Sequence, residues 1–114
     1  MTLFSTLFGA RAQDTDQIKI LTPQEFGQEI TRPNVQLVDV RTPREFGAGH
    51  ITKAVNIDWH QKQRFIEQFS RMDKNKPIYL YCRSGARSQQ AARQLVSMGF
   101  AKIYDLRGGF LRWK

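Results

Sequence analysis

The sequence predicts a single α/β domain built on a mainly parallel sheet. From about Ile18 onward, short apolar runs alternate with helical patterns, and the helices between them begin with recognisable capping residues. At 114 residues the chain also falls below the roughly 150 expected per domain, yet is long enough to bury about two-thirds of its unfolded surface. One core is therefore expected, over residues 18–114, with residues 1–17 as a flexible lead-in.

The elements follow in order. Lys19 to Leu21 reads as a short strand; Thr22 then offers an N-cap, Pro23 sits at the first helical position, and Glu25 completes a capping box. Gln36 to Val40 reads as a second strand, and Thr42, Pro43 and Glu45 repeat the same helix-start chemistry. Ala54 to Ile57 is a third strand, followed by a helix with Phe65, Ile66 and Phe69 on its apolar face. Ile78 to Cys82 is apolar on both faces, as a central strand covered by helices on each side would be. Ser88 to Met98 places Ala91, Leu95 and Met98 on one stripe, with Gly99 positioned as a left-handed C-terminal cap. Lys102 to Leu106 is a last strand, broken by Gly108 and Gly109 before a final turn carrying Phe110 and Trp113.

Composition narrows the function. Hydrophobic residues at 40% and charged residues at 25% are ordinary for a folded domain and unlike a disordered one. The formal charge of +8 points to anionic partners. Seven basic residues and one acidic lie between Cys82 and Lys114, but they are scattered over loops, a helix and the terminus. That scatter argues against nucleic acid as the primary ligand, which wants charge on one groove-facing element or interleaved with stacking aromatics. No apolar run approaches the roughly 18 residues of a membrane span. The start of the chain places Leu3, Phe4, Leu7 and Phe8 on one helical face but lacks the basic region of a secretory signal. One cysteine excludes an internal disulfide and a paired-cysteine zinc or dithiol site, and no metal or cofactor is called for. A lone thiol suits a reducing, cytoplasmic compartment.

Cys82, Arg83, Ser84, Gly85, Ala86, Arg87 and Ser88 fall between a buried strand and a helix start, where open α/β sheets place ligands. Gly85 lets the backbone curl tightly, and successive N–H groups at a helix N-terminus favour an anion. Thiols in such settings fall from a pKa of about 8.5 to roughly 3.5–7.5, so Cys82 is expected to be a nucleophile.

The loop CRSGAR, followed by Ser88, resembles the active-site loop of single-domain rhodanese-like sulfurtransferases. Asp39-Val40-Arg41, Glu45-Phe46, Gly49-His50-Ile51, Ala54, Asn56-Ile57, Leu106-x-Gly108-Gly109 and Trp113 extend the resemblance from about Ile20 to Trp113. The resemblance implies a five-stranded parallel sheet flanked by helices on both faces. It implies that Cys82 takes a sulfane sulfur from a small anionic donor such as thiosulfate and passes it, as a persulfide, to a thiol, cyanide or protein acceptor. Arg83 and Arg87 would hold the donor's oxygens, with Ser84, Gly85 and Ala86 lining the loop and Arg41 as a further substrate contact. The family pattern usually continues past Trp113 into another glycine-containing turn, whereas this sequence stops at Lys114.

Related cysteine phosphatases have loops resembling Cys-x5-Arg; here the spacing is Cys-x4-Arg, tighter than a whole phosphoryl group needs. Arsenate reduction that resolves through a second cysteine has none to use. The other alternative is a persulfide carrier or partner-docking module with the same loop and little small-molecule turnover. Asp39, Arg41 and Glu45 are expected to form one ion-pair set fixing the loop after the second strand. His50 reads as structural, and Gly108, Gly109 and Trp113 as packing the chain end against the active-site side.

Overall fold

The five expected strands form one parallel sheet. The computed structural model describes residues 15–113, with strands β1 (Ile18–Leu21), β2 (Gln36–Asp39), β3 (Val55–Asn56), β4 (Ile78–Tyr81) and β5 (Ile103–Leu106). Helices α1 (Pro23–Glu29), α2 (Pro43–Gly47), α3 (Lys62–Ser70) and α4 (Ala86–Ser97) connect them, and a 3₁₀ turn (Gly109–Arg112) follows β5. The spatial order is β1-β5-β4-β2-β3. The expected helical face at Leu3, Phe4, Leu7 and Phe8 lies outside the described residues. Residues 15–17 are already tied to the domain: Thr15 Oγ1 accepts from the Ile18 amide at 2.9 Å, and Gln17 O accepts from Ile103 N at 2.8 Å.

That strand order explains why helices cover both faces. The first two crossovers, β1 to β2 and β2 to β3, step one way along the sheet; the next two step back. Parallel crossovers are right-handed, so reversing the direction moves the helix to the opposite face. Phe26 of α1 and Ile51 accordingly pack with Leu21, Leu37, Tyr79, Tyr81 and Leu106 on one side. Phe65 and Phe69 of α3 pack with Ala91, Ala92 and Leu95 of α4 over Val38, Ile78 and Leu80 on the other. β4 alternates between the two clusters and is buried along its whole length. The reversal falls between β2 and β4, whose following loops diverge to opposite faces and leave a crevice at their carboxyl ends.

Local chemistry sets the element ends. Both capping boxes form: Thr22 Oγ1 accepts from Glu25 N and Thr42 Oγ1 from Glu45 N, each at 3.2 Å. Gly99, at φ 98°, closes α4 in a Schellman motif, donating to Val96 O at 3.0 Å while Phe100 N donates to Leu95 O at 3.1 Å. Two expectations need correction. Ile66 is an exposed residue rather than part of the buried face, because α3 rests on the sheet through Phe65 and Phe69, four residues apart and therefore on one side of the helix. α4 begins at Ala86, two residues earlier than its apolar stripe indicates, since Gly85 itself serves as the N-cap at φ 115°.

Candidate active site at the loop after β4

β4 delivers Cys82 to the crevice with its side chain on the α3/α4 face, 1% exposed. Four residues later α4 begins, so the chain must turn within Cys82–Gly85. The left-handed conformation of Gly85 makes this turn and aims its own N–H at the sulfur, 3.0 Å from Cys82 Sγ. The first intrahelical bond of α4 runs from Gln89 N to Gly85 O, so the amides of Ala86, Arg87 and Ser88 have no intrahelical acceptor. Together they leave partial positive charge at the helix end beside the thiol.

The loop carbonyls are turned outward by the end of the chain. Phe110 N donates to Cys82 O at 2.8 Å, and Leu111 N donates to Arg83 O at 3.0 Å. This contact requires Gly109: a Cβ there would lie 2.4 Å from Arg83 O and 2.7 Å from Cys82 O, and φ is 62°. The carbonyls of Cys82 and Arg83 are thus engaged by the 3₁₀ turn, while the Gly85 N–H faces the sulfur. Inside, the Cys82 thiol donates to Ser88 Oγ at 3.5 Å, and the Ser88 hydroxyl donates to Gly85 O at 3.2 Å.

The buried Cys82 thiol, with the Gly85 N–H on its sulfur, lies between the two diverging loops, and the chain around it matches the Rhodanese-like domain family over residues 22–114. The chain belongs to that family. It is 38% identical over 92 residues to the thiosulfate sulfurtransferase GlpE of Pseudomonas syringae, covering 81% of this chain and 84% of the relative. It is 44% identical over 97 residues to the protein YqhL of Bacillus subtilis, covering 84% and 72%. Among solved structures, a rhodanese-like domain protein of Staphylococcus aureus matches with a TM-score of 0.73 at 28% identity, covering 84% of this chain and 91% of that one.

The rhodanese-like domain places the other site residues unevenly. Arg83, Ser84 and Ala86 are exposed on the loop and Gly85 is buried in it. Arg87 is committed to Glu45, through Nη1 to Oε1 at 2.8 Å and Nη2 to Oε2 at 2.9 Å. That hydrogen bond is the main reason the guanidinium pKa is raised, and the charge of Cys82 adds to it, which puts Arg87 within electrostatic reach of the thiol. No carboxylate among the described residues pairs with Arg83. Arg41 sits differently from its expected place as a substrate contact. It is 4% exposed, its Nε and Nη2 bind Asp39, Nη2 also donates to Gly49 O at 2.7 Å, and the guanidinium lies over Phe110. Its chemistry there is to join the loop after β2 to the 3₁₀ turn.

The expected Asp39–Arg41–Glu45 set therefore divides in two. Asp39 holds Arg41, whereas Glu45 crosses the crevice to Arg87 while also accepting from Thr42 N at 3.0 Å. The capping box of α2 thus fixes the orientation of a loop arginine 42 positions away. His50 is structural: its Nδ1 is 2.8 Å from Phe46 O and its ring stacks on Phe46. Trp113 departs from expectation, packing on Phe26 and Gly27 of α1 instead of the active-site side. Ser88, expected only as the residue following the loop, and Asp105, absent from the expected site, are both buried.

Glu45 gives the site an acid limit. Its hydrogen bond to Arg87 is the principal cause that lowers its pKa to about 2 from an ordinary 4.5. A depressed carboxyl contributes stability above its unfolded pKa, and that contribution disappears as pH falls from about 4.5 through about 2. Urea midpoints should therefore drop between pH 5 and pH 2.5 by more in the wild type than in Glu45→Gln. Equal drops would show that the pair adds no stability.

Proposed function

We propose that this chain is a sulfurtransferase in which Cys82 carries the transferred sulfur. The observation that carries the reading is the Gly85 N–H at 3.0 Å from a buried Cys82 Sγ, at the amide-rich start of α4. The Cys82 thiolate attacks the outer sulfur of a donor such as thiosulfate. A Cys82–sulfur bond forms, the donor's S–S bond breaks, and its electron pair leaves on sulfite. Because sulfite departs as a stable anion, no general acid is required, in keeping with a loop that has neither carboxyl nor histidine.

The outer sulfur of the persulfide stands about 2 Å beyond Sγ, where the unpaired amides of α4 stabilise its negative charge. Arg83 meets the donor's oxygens as the free cation; Arg87, oriented by Glu45, supplies fixed positive charge; Ser84, Gly85 and Ala86 shape the loop wall. Arg41 acts as a positioning residue. A thiol acceptor then attacks the outer sulfur and returns Cys82 as thiolate. The four residues between Cys82 and Arg87 favour a sulfur atom over a tetrahedral phosphate. A reactive lone thiol suits a reducing compartment such as the cytoplasm.

Incubation of the full chain with thiosulfate should add the mass of one sulfur atom to Cys82 and release one equivalent of sulfite. No mass gain with thiosulfate or any other sulfane donor would refute the reading.

A further inference from the structure

The fold gathers basic residues that lie apart in the sequence. Arg83 opens the active-site loop, and Arg107, just past β5, lines one cavity of about 140 Å³ together with Ser84 and Gly85 of that loop. Arg112 lies in the 3₁₀ turn with its stem laid over Gly108, where a Cβ would be 2.3 Å from its Cγ. Leu111 of the same turn donates its amide to Arg83 O at 3.0 Å. All four side chains are exposed, Leu111 at 58%. A large apolar side chain in water, beside the active-site loop and among arginines, is unlike the rest of this surface, where Val55 and Ile66 are the other exposed large hydrophobics among the described residues.

No carboxylate answers these cations. Asp105 is the one acidic residue between Cys82 and Trp113, and it is 2% exposed. Neighbouring elements hold their acids elsewhere: Glu45 of α2 is bound to Arg87, and Glu25 of α1 accepts from Thr22 N at 2.9 Å. Among the described residues no ion pair includes Arg83, Arg107 or Arg112. Guanidinium forks match carboxylates in shape as well as in charge. Arginine is also enriched in protein interfaces, where it surrounds apolar anchors.

Sulfur transfer brings a partner to this patch. Cys82 is 1% exposed, so an acceptor's thiol has to reach down to the outer sulfur while the residues flanking it rest on the rim of the loop. We propose that the sulfur acceptor is a cysteine in an acidic protein segment, which sets its carboxylates on Arg83, Arg107 and Arg112 and an apolar side chain on Leu111. The inference rests on Cys82 carrying the sulfur. The acceptor cysteine, having lost its proton to solvent, attacks the outer sulfur of the persulfide. A new S–S bond forms on the acceptor, the bond to Cys82 Sγ breaks, and its electron pair returns to Cys82 as thiolate. No oxidant or reductant is needed, and the arginines act on docking rather than on the bonds exchanged. An anionic lipid surface would match the charge but offers no thiol to receive the sulfur.

The test begins by loading the full chain with thiosulfate and counting the persulfide by mass, so failure of sulfur transfer is separate from failure of acceptor choice. Rapid mixing then measures loss of the added sulfur to three peptides that share a central Leu-Cys pair and are flanked by glutamates, glutamines or lysines. Rates are compared at equal peptide thiolate, because flanking carboxylates raise the peptide thiol's own pKa. The glutamate peptide should react about tenfold faster than the glutamine peptide at about 20 mM salt, and less than about threefold faster at about 500 mM. The lysine peptide should be slowest. Arg107→Gln/Arg112→Gln keeps the stem over Gly108; it should load with sulfur and react with the glutamine peptide as wild type does, yet retain less than about a third of the glutamate advantage. Leu111→Ser should slow the glutamate and glutamine peptides alike, by about threefold. Equal rates for the three peptides, an advantage insensitive to salt, or one that survives in the arginine variant overturns the proposal. So does capture of the wild type by phosphatidylserine vesicles without any preference among the peptides.

Discussion

Gly109→Ala is expected to destabilise the domain by about 3 kcal/mol and to abolish persulfide formation in the same step. The added Cβ would meet Arg83 O at 2.4 Å and Arg83 C at 2.5 Å, and these are backbone atoms with no rotamer to change. Relief requires the 3₁₀ turn to lift from the loop. The Phe110 and Leu111 amides then release Cys82 O and Arg83 O, and the loop loses what holds the Gly85 N–H toward the thiol. Gly47→Ala is the control: its Cβ meets open space at the end of α2, and replacing glycine in a helix is neutral or stabilising by up to about 1 kcal/mol. Urea unfolding and mass gain from thiosulfate separate the two. Similar behaviour of both variants would mean that contact between the chain end and the loop does not support the site.

Cys82→Ser should lose sulfur transfer entirely while keeping the fold. The replacement is small, Gly85 N–H and Ser88 still find an oxygen where the sulfur stood, and only the S–S bond-forming atom is gone. The expected result is no mass gain from thiosulfate, with an unfolding midpoint close to wild type. A variant that still gained one sulfur atom would move the chemistry away from the loop.

Much of this was legible in the sequence because the signals are local. Two capping boxes, a glycine at the end of α4 and a strand apolar on both faces each depend on residues a few positions apart, and each formed. Ile66 was misplaced because three apolar residues within five positions do not say which two the helix will turn inward. The Glu45–Arg87 pair was hidden for the opposite reason: it joins positions far apart in the chain, and Glu45 already had a local explanation as a cap. Asp105 was readable in principle, as a lone carboxyl inside a short apolar strand. Arg41 resembled a substrate ligand while its true environment, under Phe110 and against Asp39, depends on the 3₁₀ turn closing over it.

The central claim is that the loop holds one sulfur as an anion ready to react. The most direct measurement is the rate of Cys82 alkylation by iodoacetamide in the full chain across pH 5 to 9, set against free cysteine under the same conditions. The account predicts substantial reaction at pH 6, where the free amino acid with its pKa of about 8.5 is nearly inert. A curve superimposable on that of free cysteine would contradict it.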